Sequence, residues 1–189
     1  MEKMKLGFGM TGSFCTWEKV LPVMAQLAEI YEITPILSPI SYTSDNRFGN
    51  AANWIEQIED ICGRKVLHKI EQVEPIGPKN LLDVMAIVPC TGNTIGKLAN
   101  GITDTAILMA AKANLRNGKP LVIAISTNDA LTGSARNIGT LMNAKNVYFV
   151  PMSQDDPFHK PASMVAHFNQ VGATIEAALQ GRQQQPIFC

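Results

Sequence analysis

No apolar run in this 189-residue chain is long enough to span a membrane, and the apolar stretch after Met1-Glu2-Lys3-Met4-Lys5 is too short for the core of a secretion signal. The four cysteines, Cys15, Cys62, Cys90 and Cys189, stand far apart, with no CxxC pair and no Cys/His cluster. That spacing excludes a disulfide framework and a zinc site, and it reads as free thiols in a reducing, cytosolic compartment. Charge is scarce as well: 16 basic and 16 acidic residues cancel to zero, so no long-range field draws the chain to nucleic acid or to an acidic membrane. There is no GxGxxG, no P-loop lysine motif, no Ser-His-Asp arrangement, no metal cage and no internal repeat.

What is present is a 46% apolar composition, enough for one domain over residues 1–189 that buries roughly 70% of its unfolded surface. Nine methionines beside so few charges point to surface covered by contacts in a homo-oligomer. Lys5 to Phe8 reads as a strand closed by Gly9-Met10-Thr11-Gly12-Ser13. Phe14, Trp17, Val20, Leu21, Met24, Leu27 and Ala28 form a helical stripe, with Pro22 predicting a kink or an early break. Ile33 to Leu37 is a second strand ended by Ser38-Pro39, and Ser41 to Asn46 a polar loop. Phe48, Ala52, Ile55, Ile58 and Cys62 make another stripe, stopped at Gly63. Lys65 to Leu67 predicts a short strand, and Pro75 to Lys79 a loop. Val84 to Val88 is a buried strand, followed by an interrupted helical pattern to about Asn117. Leu121 to Ile125 is strongly β-branched, residues 131–144 read as helix, and Val147 to Val150 as strand. Pro151 to Pro161 is an acid- and proline-rich loop, and Met164, Val165, Phe168, Val171, Ile175, Ala178 and Leu179 a last amphipathic helix. Residues 181–189 read as a loose tail. The alternation predicts an α/β fold: a three-layer, Rossmann-like (flavodoxin-like), mostly parallel sheet with helices on both faces, binding ligands beyond the strands' carboxyl ends.

Five loops fall at that edge. Gly9-Met10-Thr11-Gly12-Ser13 suits the close approach of a phosphate, by glycine backbone and two hydroxyls, or is a plain tight turn. Ser38, where a dinucleotide ribose wants an acid, favours a mononucleotide. Thr91-Gly92-Asn93-Thr94 gathers three polar residues around a glycine where a helix cap needs one, and leaves free N–H groups for an anion or a polar ring edge. Asn100-Gly101 and Thr103-Asp104 break the helix behind it. Ser126-Thr127-Asn128-Asp129 follows the most buried strand and reads equally as a capped turn or as part of a site. Asp155-Asp156 and Phe158-His159-Lys160 lie in a loop that is either a lid or simply solvated. His68 and His167 are isolated, and Cys90 reads as a small apolar filler.

Together, Gly9-Met10-Thr11-Gly12-Ser13 and Pro89-x-x-x-Asn93-Thr94-Ile95-x-Lys97-x-Ala99-Asn100-Gly101-Ile102-x-Asp104 resemble the flavoprotein superfamily. That group includes the homo-oligomeric flavin-containing cysteine decarboxylases and the flavin prenyltransferases, and the resemblance covers most of the chain. It implies FMN held by Gly9, Thr11, Gly12, Ser13, Ser38, Thr91, Gly92, Asn93 and Thr94, a turn supported by Lys97, Asn100 and Asp104, and trimers or larger assemblies with FMN near a subunit interface. Ile36-Leu37-Ser38-Pro39-Ile40-Ser41, Pro89 to Thr94 and Ser126 to Leu131 are similar to the B-subunit family of the dipicolinate synthases.

This second resemblance implies a partner, the A subunit of dipicolinate synthase, a Rossmann protein using NAD or NADP. It implies a small dicarboxylate substrate, a cyclic dihydro- or hydroxytetrahydro-dipicolinate aromatised to pyridine-2,6-dicarboxylate in the cytoplasm of a sporulating mother cell. Asn128 and Asp129 take the catalytic position, and Lys97, Arg136 and Lys160 are the candidates to pair with substrate carboxylates. The catalytic histidine of the decarboxylases has no counterpart: Glu74-Pro75-Ile76 stands there, His68 lies too far upstream, and Ser126-Thr127-Asn128-Asp129 replaces their Pro-x-Met-Asn. The prenyltransferases' arginine before the acid is also missing. Two other readings stay open: a non-catalytic structural partner of the A subunit that has lost flavin, and an FMN-dependent decarboxylase.

Overall fold

The computed structural model describes residues 3–189. β1 (Lys5–Met10) leads through a 3-10 turn at Phe14–Thr16 into α1 (Trp17–Ile30) and β2 (Glu32–Leu37). α2 (Pro39–Thr43), α3 (Ala51–Cys62) and α4 (Ile70–Val73) carry the chain to β3 (Val84–Cys90). α5 (Gly92–Ala99) and α6 (Ala106–Arg116) precede β4 (Leu121–Thr127). α7 (Ala135–Met142), β5 (Val147–Phe149), β6 (Met152–Ser153), β7 (Met164–Ala166) and α8 (Val171–Leu179) follow. The sheet order is β2-β1-β3-β4-β7-β6, with β5 also on β4. β2, β1, β3, β4 and β5 run parallel, and the β6–β7 hairpin is antiparallel. This is the expected three-layer, flavodoxin-like α/β fold. Among the described residues no helix is long and apolar enough to cross a membrane.

Helices cover both faces, so the inner strands are apolar throughout and their side chains alternate between two cores. Leu6, Phe8, Val84, Ala86, Val88, Val122 and Ala124 pack toward α1, α3 and α8. Met85, Ile87, Cys90, Leu121, Ile123 and Ile125 pack toward α6 and α7. Each large side chain buried this way contributes about 1.5–3 kcal/mol. A Cβ on Gly9 would lie 3.2 Å from Met85 Cε and 3.4 Å from Ile107 Cγ2. Gly9 therefore sets how closely α6 approaches β1. It belongs to the strand and not to a ligand loop, because Gly9 and Met10 still pair with Ile36 and Leu37.

Several segments differ from expectation. α1 runs on through Pro22 to Ile30, since Pro22 is on the exposed side, where water can serve the freed carbonyl. Part of the predicted loop at 41–46 is α2, capped by Ser38 Oγ, which accepts from Ser41 N, and begun by Pro39 at its first position. Lys65 to Leu67 forms only a bridge from Leu67 to Ile36, and Glu74–Ile76 is a 3-10 turn. The helical pattern after β3 divides at Gly101 (φ 69°), where Ile102 N donates to Lys97 O and Lys97 pairs with Asp104 at 2.6 Å.

Met164–Ala166 is a strand because Ser126 and Thr127, at the end of β4, have backbone groups that Val165 and Met164 pair. Residues 181–189 are not loose. Gln183 Oε1 accepts from Phe149 N and its Nε2 donates to Phe149 O, while Met152 N donates to Ile187 O and Cys189 N to Met152 O. The outer edges of β5 and β6 would otherwise leave those groups unpaired.

Candidate functional site

At the carboxyl edge of β1, β3 and β4 the chain encloses a cleft of about 900 Å³. Three turns are tied together beneath it. Thr11, 1% exposed, donates from Oγ1 to Pro89 O at 2.8 Å and accepts from Thr91 N at 3.0 Å, while its carbonyl accepts from Trp17 Nε1. Ser13 Oγ meets Ser126 Oγ at 2.7 Å and so joins the β1 turn to the end of β4. Asp129 Oδ1 accepts from Thr127 Oγ1 at 2.6 Å and from Ser134 Oγ at 2.9 Å. A Cβ on Gly92 would lie 2.8 Å from both hydroxyls and 2.9 Å from Asp129 Oδ1, so only a glycine lets β3's turn close on β4's. The Asp129 carboxylate thus stands beside the first residue of α5, where the helix dipole favours it.

Gly12, Ser13, Thr91, Gly92, Asn93, Asn128, Asp129 and Lys160 line the cleft, as their place at the sheet edge predicts. The carboxamides of Asn93 and Asn128 have no hydrogen-bond partner among the described residues. Thr11 and Thr94 are buried beneath the surface of the cleft, Thr94 with its hydroxyl 3.3 Å from that of Thr91. Ser38 is buried as the α2 cap, bonded to Ser41. Two of the three predicted cations are elsewhere. Lys97 is taken by Asp104 across the α5–α6 break, and Arg136 is exposed on α7 outside the cleft. Lys160 does line the cleft but already pairs with Asp155 at 3.5 Å. The Ser163 hydroxyl first, and Lys160 after it, hold the Asp155 carboxyl below its usual range. Cys90 is fully buried, and that burial pushes its thiol pKa up, as expected of an apolar filler.

The Flavoprotein family profile matches residues 1–178. The chain belongs to the flavoprotein family. It is 48% identical to the B subunit of dipicolinate synthase from Bacillus subtilis over 184 residues, 97% of this chain and 92% of that one. The crystal structure of the corresponding B subunit from Bacillus halodurans is 46% identical, covers 100% of this chain and 98% of that one, and superposes with a TM-score of 0.90. AnUbiX, in complex with FMN and dimethylallyl pyrophosphate, shares the fold at 20% identity and a TM-score of 0.60, over 79% of this chain and 78% of that one.

In this flavoprotein the cleft also recruits residues that sequence reasoning passes over or assigns to helical stripes: Phe14 and Cys15 from the 3-10 turn before α1, Lys19 from the first turn of α1, and Arg47 and Phe48 from the turn before α3, where Phe48 stands outside the helix. That turn carried a readable signal, a cation and an aromatic held between Asn46 and Gly49. Asn46 and Gly49 exchange N–H···O bonds at 3.0 and 3.1 Å, and Asn46 Oδ1 accepts from Phe48 N. Asp45 Oδ1 accepts from Ala51 N, and Gly49 lies against the Trp54 indole. Among the described residues no histidine lines the cleft; His68 stacks on Tyr42, ring centroids 3.5 Å apart.

Proposed function

We propose that this flavoprotein acts as the B subunit of a dipicolinate synthase. It holds FMN in the cleft and works with an A subunit that uses NAD or NADP. The product is pyridine-2,6-dicarboxylate, formed from a cyclic dihydro- or hydroxytetrahydro-dipicolinate in the mother cell of a sporulating bacterium. The observation that carries this reading is the cleft itself, with its polar floor and its two unpartnered carboxamides, in a chain so similar to named dipicolinate synthase subunits.

The residues present fit a flavin mononucleotide. A volume of about 900 Å³ is near the upper end of small-molecule sites and leaves room for a substrate beside the cofactor. The N–H groups of Gly92, Asn93 and Thr94 open α5 and have no intrahelical acceptor. With Asp129 beside them they suit the polar edge of a ring, joined by Asn93 and Asn128. Gly12, Ser13 and Lys19, from one short segment, would hold the phosphate. When bound, the flavin supplies an acceptor for the two electrons that leave the substrate ring. Asp129 Oδ1 is already occupied by two hydroxyl donors, which would leave Oδ2 to take the ring proton of the dihydro form as the hydride equivalent leaves; a hydroxytetrahydro form would first lose water to reach it. Phe14 and Phe48 exclude water from the walls.

Ile40, Leu131 and Phe158, 56%, 50% and 92% exposed, flank Gly12, Asp129 and Lys160 and leave apolar surface for a second copy or for the A subunit to cover. Such surface favours association, with a homo-oligomer, a trimer or larger, as the proposed form; sedimentation of the chain alone and with the A subunit separates the two partners. The absence of a histidine from the cleft favours a second reading, a docking protein without chemistry of its own, over decarboxylation. Absorbance of the purified chain with FMN, and dipicolinate formation by each protein alone and by the mixture, separate the two. A flavin spectrum with faster turnover by the mixture supports the first reading. A chain that takes up no FMN, with its partner equally active in its absence, refutes it.

A further inference from the structure

Among the described residues, Lys19 and Arg47 line the cleft without an ion pair or hydrogen bond, whereas Lys160 is paired with Asp155. The two free cations differ in setting. Lys19 lies on α1, on the segment that begins with Gly12 and Ser13. Arg47 sits on the turn fastened by Asn46, Gly49 and Asp45, and its guanidinium carbon lies 4.8 Å from the centroid of the Phe48 ring. A guanidinium lying on an aromatic face keeps its edge donors free, and that planar fork matches a carboxylate bidentately. The neighbouring aromatic face suits a flat ring in van der Waals contact. A phosphate, by contrast, is better met by glycine backbone and a point charge, which the segment from Gly12 to Lys19 offers.

We infer that the Arg47–Phe48 turn is the substrate-reading element of the cleft: Arg47 takes a carboxylate of a planar ring dicarboxylate, and Phe48 takes part of the ring face. This rests on the reading of the cleft given under Proposed function. It also replaces Lys97 and Arg136, which the fold places elsewhere, as the origin of dicarboxylate specificity.

The test is calorimetric titration of the FMN-loaded chain, in metal-free buffer, with pyridine-2,6-dicarboxylate and with its uncharged analogue pyridine-2,6-dicarboxamide. Arg47→Ala should weaken the dicarboxylate by about tenfold or more and the dicarboxamide by less than about twofold. Arg47→Lys, which keeps the charge without the fork, should fall between. Phe48→Leu should weaken both ligands alike. Lys19→Gln should lower FMN retention and leave dicarboxylate binding at saturating FMN unchanged. Three results overturn the assignment while leaving the function intact: undiminished dicarboxylate binding by Arg47→Ala, equal losses in Arg47→Ala and Lys19→Gln, or loss of FMN from Arg47→Ala. Failure of the wild-type, FMN-loaded chain to bind the dicarboxylate at all overturns both this inference and the functional reading beneath it.

Discussion

Replacing Thr11 by Val removes one hydroxyl from a side chain that is 1% exposed and leaves its shape nearly unchanged. That hydroxyl is the acceptor for Thr91 N and a donor to Pro89 O, and Pro89 O keeps a second, longer bond at 3.3 Å from Thr11 N. Losing the bond to Pro89 O costs about 1 kcal/mol, and leaving a partly buried N–H without its acceptor costs about another 1–3 kcal/mol. Water reaches Thr91, which is half-buried, and the added methyl offsets about 0.8 kcal/mol, so the net loss is about 2 kcal/mol. For a domain of this size that lowers Tm by about 4–8 °C. Urea unfolding of the chain without added FMN measures the loss directly, and Thr11→Ser, which keeps the hydroxyl, should recover most of it. If Thr11→Val unfolds within about 0.5 kcal/mol of wild type yet no longer takes up FMN, the reasoning is refuted. The hydroxyl would then serve the ligand and not the junction between the β1 and β3 turns.

Gly92→Ala puts a methyl 2.8 Å from Ser134 Oγ and Thr127 Oγ1, and should destabilise by about 1–3 kcal/mol and weaken FMN binding, read by the same unfolding and by flavin fluorescence. Asp129→Asn should keep FMN uptake and lower kcat of the two-protein mixture by about 10²-fold or more; unchanged kcat would remove Asp129 from the proton step. Of the four thiols, exposed Cys15 and Cys189 should react rapidly with a disulfide reagent at about pH 8. Half-buried Cys62, its pKa pushed to about 12 by burial, should react far more slowly, buried Cys90 only on unfolding, and FMN should protect Cys15. Burial first, and Lys69 second, hold the His68 pKa below 6.5 in the folded chain. The unfolded chain therefore binds the proton first as pH falls, so stability is full above 6.5 and drops as pH falls through the folded value. His68→Phe keeps the stack on Tyr42 and should flatten that limb of a stability–pH profile.

The two inner strands are legible in the sequence because Val84 to Val88 and Leu121 to Ile125 are apolar without alternation, as burial on both faces requires. Met164-Val165-Ala166 is not legible. Its apolar spacing continues the helical stripe, and what makes it a strand is the free edge of Ser126 and Thr127, far earlier in the chain. The tail is hidden for the same reason: Gln183 is ordered by the backbone of Phe149, which no local pattern reveals. In the cleft, residues on β–α turns could be placed from the strand ends alone. The cations could not. Lys97 and Arg136 are excluded by helical phase and by a competing carboxylate, while Lys19 and Arg47 arrive through the packing of α1 and α3.

The Ser13–Ser126 hydrogen bond spans 113 positions, and Thr11 reaches 80 residues forward to Thr91. Contacts so distant in sequence are slow to form and come after the local helices. During synthesis, then, a chain that has not yet delivered β4 has no cleft floor, and one that lacks β7 has no outer wall. Ligand capture by the cleft therefore waits for the finished sheet, and any ligand bound there stabilises the whole molecule by mass action while giving no shelter to its intermediates.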